Sequence, residues 1–111
     1  MKERKITIAG KEISVAFNGA TMISFEEITK KPFFEEKFTT QASRMALIFS
    51  AIYAFDENTD MTMTELMKTV SWKEMNEAFT IVMEASMEFF DIPEVAKQPE
   101  PTEEEKKNAK N

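Results

Sequence analysis

The run Gln41 to Phe55, "QASRMALIFSAIYAF", contains no acid and a single base, Arg44. Ala42, Met45, Ala46, Phe49 and Tyr53 form one stripe at helical spacing, but Leu47, Ile48 and Ile52 carry apolar surface onto the other faces. A helix that is apolar almost all round is either central to a fold or shared between subunits. The chain has 111 residues, enough for one domain with a modest core, and this segment is the natural centre of it.

Before it, in "KITIAGKEISVAF", Ile6, Ile8, Ile13, Val15 and Phe17 alternate with polar or small residues at the period of two expected of half-buried strands. Gly10-Lys11 fits a two-residue type II′ turn, with Gly at the position of positive φ. That turn sets Ile8 opposite Ile13 and Ile6 opposite Val15, so all four share one face. An isolated hairpin is marginal in water, and this face is expected to lie on helices or on another subunit's sheet. In "ATMISFEEITKK" the spacing of Met22, Phe25 and Ile28 predicts a helix over 19–30, stopped by Pro32. The segment "PFFEEKFTT" fits either a further helical turn or a loop anchored by the rings of Phe33, Phe34 and Phe38.

After the central helix and the polar loop "DENTD", Thr62 with Glu65 forms a capping box opening a helix over 63–70. Ser71 with Glu74 forms a second box opening a helix over 72–91, and two starts so close imply a tight corner near Ser71. Trp72, Met75, Phe79, Val82, Met83, Ser86, Phe89 and Phe90 keep three-four spacing until Pro93 ends the helix. Residues 93–111 carry Pro99, Pro101 and mixed charges, and read as a flexible charged tail, disordered from about Gln98. The expected fold is mainly α with a short N-terminal β-hairpin over 5–17, an α+β domain spanning 1–92 ahead of a disordered acidic tail.

The chain has neither cysteine nor histidine, which removes disulfides, thiolate metal sites and the commonest general base. No catalytic residue, metal or cofactor is expected. The formal charge of -6 repels phosphate, and Lys30-Lys31 stands among Glu26, Glu27, Glu35 and Glu36, so no nucleic-acid partner is expected. No apolar run is long enough for a bilayer and no leader is apparent, which predicts a cytoplasmic protein with no membrane partner. Asp56 to Asp60 begins like a calcium loop, but Met61 and Met67 stand where such a loop needs glycine and a bidentate glutamate. Paired acids such as Glu26-Glu27 point to different helix faces and read as solvated charge rather than as an acid-base pair.

Nine methionines are the most unusual feature of the composition. Thioether side chains fill irregular core gaps, and they also suit surfaces that accept several apolar partners. Met61, Met63 and Met67 cluster on a short helix after a polar loop and read as a client-binding patch; Phe33 and Phe34 are the other expected client contacts.

The order "ITIAGKEISVAFN", "GATMISFEEITKKPFFE", an apolar helix with "LIFSAIYA", then "MTELMKTVSWKEMNEAF" resembles the tail assembly chaperones of long-tailed, siphovirus-type bacteriophages and prophages. The resemblance covers residues 5 to 92 and rests on order and apolar pattern. It implies a protein that binds the helical tape measure protein in the host cytoplasm, keeps it soluble until tail tube subunits polymerise around it, and is absent from the mature virion. It further implies a longer form made by ribosomal frameshifting, whose extension recruits tube subunits. Lys106-Lys107-Asn108 can be encoded AAA AAA AAC, which contains a heptamer on which ribosomes slip back one base. The unpaired edges of a two-stranded hairpin also suit a homo-oligomer. The competing expectation is a small acidic structural or adaptor protein that acts by oligomerisation.

Overall fold

The computed structural model describes residues 4–91. Strands β1 (Arg4–Ile8) and β2 (Lys11–Val15) pair as an antiparallel hairpin, followed by α1 (Gly19–Thr29), a 3-10 turn (Phe33–Glu35), α2 (Gln41–Phe55), α3 (Met63–Thr69) and α4 (Trp72–Phe89). The expected tail over 93–111, with Pro93 and the Lys106-Lys107-Asn108 segment, lies outside the described residues.

The sequence order is thus an α+β fold, and α2 is its centre. Met45, Ala46, Leu47, Ile48, Ser50, Ala51 and Ile52 are all buried, which leaves the middle of the helix no solvent face. It packs against α1, β2, α3 and α4. The stripe running from Ala42 to Tyr53 is not its deepest face, since Ala42 is exposed and Tyr53 is 41% exposed. Leu47, Ile48 and Ala51 are wholly buried instead, because neighbours cover the helix from several sides. The Ser50 hydroxyl is satisfied within the helix, donating to the Ala46 carbonyl at 2.7 Å. The Ala51 carbonyl accepts from the Ala16 N–H at 3.1 Å, which ties the exit of β2 to α2.

The hairpin turns one residue earlier than the sequence suggests. Its central residues are Ala9 and Gly10, both left-handed with φ of 54° and 79°, the pattern of a type I′ turn. Ile6 therefore faces Ile13, and Ile8 faces Lys11, in place of the expected Ile6–Val15 and Ile8–Ile13 pairs. Moving the partner by two residues preserves side-chain parity, so Ile6, Ile8, Ile13 and Val15 still share one face. The determinant is remote in sequence. The Glu74 carboxylate accepts from the Ala9 N–H at 2.9 Å and from the Gly10 N–H at 3.0 Å, one oxygen to each. It also accepts from the Ser71 N–H at 3.1 Å while the Ser71 hydroxyl accepts from the Glu74 N–H, completing the α4 capping box. Left-handed Ala9 costs about 1–2 kcal/mol, and these hydrogen bonds offset it. Arg4 joins β1 to α4 a second time, 3.4 Å from Glu88 and 3.8 Å from Glu84.

Helix α1 starts at Asn18, whose side chain accepts from the Ala20 and Thr21 N–H groups, while the Thr21 hydroxyl accepts from the Asn18 N–H at 3.0 Å and donates to the Ala16 carbonyl at 2.9 Å. Thr21 and Phe25 are its buried residues; Ile28 is 39% exposed, so the inward face is rotated from the expected Met22–Phe25–Ile28 line. Lys30 ends the helix in the left-handed conformation, φ 62°, with its N–H donating to the Glu26 carbonyl.

Between α1 and α2 the rings decide the path. Phe33 lies at the hub of a network joining Phe17, Phe25, Phe34, Phe38 and Phe90, with Phe79 and Phe89 beyond, eight of the ten phenylalanines. Its N–H donates to the Glu26 carboxylate at 2.8 Å. Phe38, also left-handed at φ 56°, is held by its ring contacts and by the Arg44 Nε–H, which donates to its carbonyl at 2.9 Å; the Arg44 guanidinium sits 5.0 Å from the centre of the Phe79 ring.

Two outcomes check this account. The hydrogen bonds from Ser71, Ala9 and Gly10 hold the Glu74 carboxyl below its ordinary value of 4.5. A depressed folded-state value gives stability that is fully present above the unfolded value and is lost as pH falls through the folded one. Glu74→Gln is expected to melt below the parent at neutral pH, with the gap closing under acid conditions, as followed by circular dichroism. Lys30→Gly removes the left-handed penalty at the α1 terminus and is expected to stabilise the chain by about 1 kcal/mol in urea unfolding.

Candidate functional site

Val70 and Ser71 make the corner between α3 and α4, and the residues around it lie beside Gln41, Ala42 and Met45 at the N-terminal end of α2. Thr62 caps α3, its hydroxyl accepting from the Glu65 N–H at 3.0 Å, and Leu66 anchors that helix in the core with no exposed surface. With Leu66 facing inward, Met67 turns outward and is 51% exposed. At the first residue of α4, Trp72 is 66% exposed, while Met75 one turn later is 5% exposed. The space between is an apolar groove of about 420 Å³.

Met45 and Met75, each 5% exposed, form its floor, and Met67, Val70 and Trp72 its walls. Gln41 and Ala42 border it from the start of α2, and no charged side chain lines it. Unbranched thioethers adapt their shape to an apolar partner, and an indole offers a large, rigid contact surface. The arrangement suits apolar side chains projecting from one or two turns of a partner helix. Among the described residues no three Asp, Glu, His or Cys side chains group so as to hold a metal ion, and no helix is long and apolar enough to cross a membrane.

The five residues singled out from sequence do not converge. Met67 lines the groove; Met61 and Met63 are half-buried and pack against the core. Phe33, expected at a client surface, is a core residue at 7% exposure, because the 3-10 turn points it into the ring network. Its neighbour Phe34 is 74% exposed and rests on Phe33 and Phe90, both at 5.5 Å between ring centres. With Phe89, 41% exposed, it forms a second apolar patch at the far end of α4. Trp72 and Phe89 are seventeen positions apart, which at the rise of an α-helix is about 25 Å.

Trp72, Val70, Met45 and Met75 are the groove residues that sequence reading missed. Trp72 fits the three-four pattern of α4 and so reads as core. The available signal was its place immediately after the Ser71 cap, where a corner leaves the first helical turn partly uncovered.

The division of Phe33 from Phe34 is directly measurable. Phe33→Ala is expected to cost about 3–5 kcal/mol of unfolding free energy, whereas Phe34→Ala costs under about 1 kcal/mol, both read from urea denaturation. No family model, no curated protein and no solved structure matches this chain.

Proposed function

We propose that this chain is a tail assembly chaperone of a long-tailed bacteriophage or prophage, which binds the tape measure protein in the host cytoplasm and keeps it soluble during tail morphogenesis. The order of residues from the Ile-rich hairpin to the capped helices supports the family. The observation that carries the activity is the uncharged groove under Met67 and Trp72, an adaptable apolar site open to solvent. A groove of that size takes a few side chains of an apolar helix, so each contact is weak and retention of a long client depends on many contacts acting through effective concentration. The Phe34–Phe90 patch supplies a second contact on the same copy. A net charge of -6 keeps the loaded complex from self-association. A longer form, made by slippage at the codons for Lys106 to Asn108, would add the surface that recruits tube subunits.

Co-expression with the tape measure protein of the same genome tests the reading. The parent chain is expected to bring the client into the soluble fraction, and Met67→Ser with Trp72→Ser is expected to lower that yield several-fold while circular dichroism shows the fold intact. An undiminished yield removes the groove from the mechanism. Detection of the chain in purified virions by mass spectrometry would replace the chaperone with a structural or adaptor subunit.

A further inference from the structure

The groove wall also holds the most exposed methionine of the described chain. Among residues 4–91, Met67 is the one exposed methionine; Met45 and Met75 on the groove floor are buried, and Met22, Met61, Met63, Met83 and Met87 are half-buried. Oxidation of methionine follows exposure of its sulfur and converts a flexible apolar side chain into a polar one.

We propose that Met67 is a redox modification site, oxidised by a peroxide to the sulfoxide, and that this oxidation turns off binding in the groove. A sulfur lone pair attacks one oxygen of hydrogen peroxide, the O–O bond breaks and an S–O bond forms. The displaced hydroxide takes up the remaining proton and leaves as water. Sulfur loses two electrons and the peroxide gains them. The new oxygen faces a groove built from Met45, Val70, Trp72 and Met75, so an apolar occupant that expels water strips the sulfoxide of its hydration. The selectivity of oxidation rests on exposure alone, whereas its effect on client binding rests on the function proposed above.

Trp72, the single tryptophan of the chain, lines the same groove and reports on it. The full chain is treated with graded hydrogen peroxide, peptide-mapped by mass spectrometry and followed by tryptophan emission, with circular dichroism as the check on folding. Met67 sulfoxide is expected to form on the order of tenfold faster than sulfoxide at Met45 or Met75. The emission of Trp72 is expected to shift with it, to revert on treatment with methionine sulfoxide reductase, and to stay constant under peroxide in Met67→Leu. When the tape measure protein of the same genome is refolded in vitro in its presence, the reduced chain is expected to keep the client soluble and the oxidised chain to let it precipitate. Equal oxidation rates at the three methionines, or the same emission change in Met67→Leu, overturn the site. Oxidation at Met67 with undiminished client solubility overturns the switch. A reduced chain that does not hold the client counts against the proposed function, and the mapping and emission results still decide the site.

Discussion

Everything in this fold answers to one constraint: α2 has no polar side along its middle turns. Met45, Ala46, Leu47 and Ile48 are successive residues that point to different sides of the helix and are all buried, so no single neighbour can cover them. The hairpin contributes Val15, α1 contributes Phe25, α3 contributes Leu66, and α4 contributes Ala78 and Val82. Burying the valine, leucine and phenylalanine side chains among these yields about 1.5–3 kcal/mol each, and the same burial dictates where the flanking elements can lie. The groove is a by-product of that arrangement. The end of α3, the corner at Val70 and Ser71 and the first turn of α4 meet at the N-terminal end of α2, and their junction leaves Met45 and Met75 flanked by Met67, Val70 and Trp72.

The layout of the chain was legible because local signals agreed with the global demand. The two-residue period of the hairpin, the Ser71–Glu74 box and the apolar run of α2 each act within a few residues, and all three stand as read. What was not legible depends on residues far apart. The choice between Gly10-Lys11 and Ala9-Gly10 as the turn is settled by hydrogen bonds to Glu74, 64 and 65 residues away. Local turn chemistry favours glycine at a left-handed position and disfavours alanine, so the sequence alone points the wrong way at Ala9. Asn18 was missed as a cap although Asn18-x-x-Thr21 offered the signal; the reciprocal partner there is a threonine rather than the more familiar acid.

The candidate site was less legible for a related reason. Composition singles out methionine, and the ring-rich segment after α1 singles out Phe33 and Phe34, but whether a given one faces water depends on a single step along the backbone. Phe33 and Phe34 are adjacent, and the 3-10 turn sends one into the ring network and leaves the other outside. Leu66 and Met67 divide in the same way on α3. Trp72 inverts the usual expectation for an aromatic at core spacing, since the corner at Ser71 leaves its side of the first turn of α4 uncovered, while Met75 one turn on is buried.

The packing of β1 on α4 has a temporal side. Among the described elements the hairpin leaves the ribosome well before α4, and translation at about 5–20 residues per second separates them by several seconds. Throughout that interval Ile6 and Ile8, later almost wholly buried, lack the cover that α4 gives β1, and the turn lacks the carboxylate that fixes its register. The strand pairing is therefore free to sample alternatives until α4 arrives. Completion of α4, rather than formation of the hairpin, commits the chain to its register.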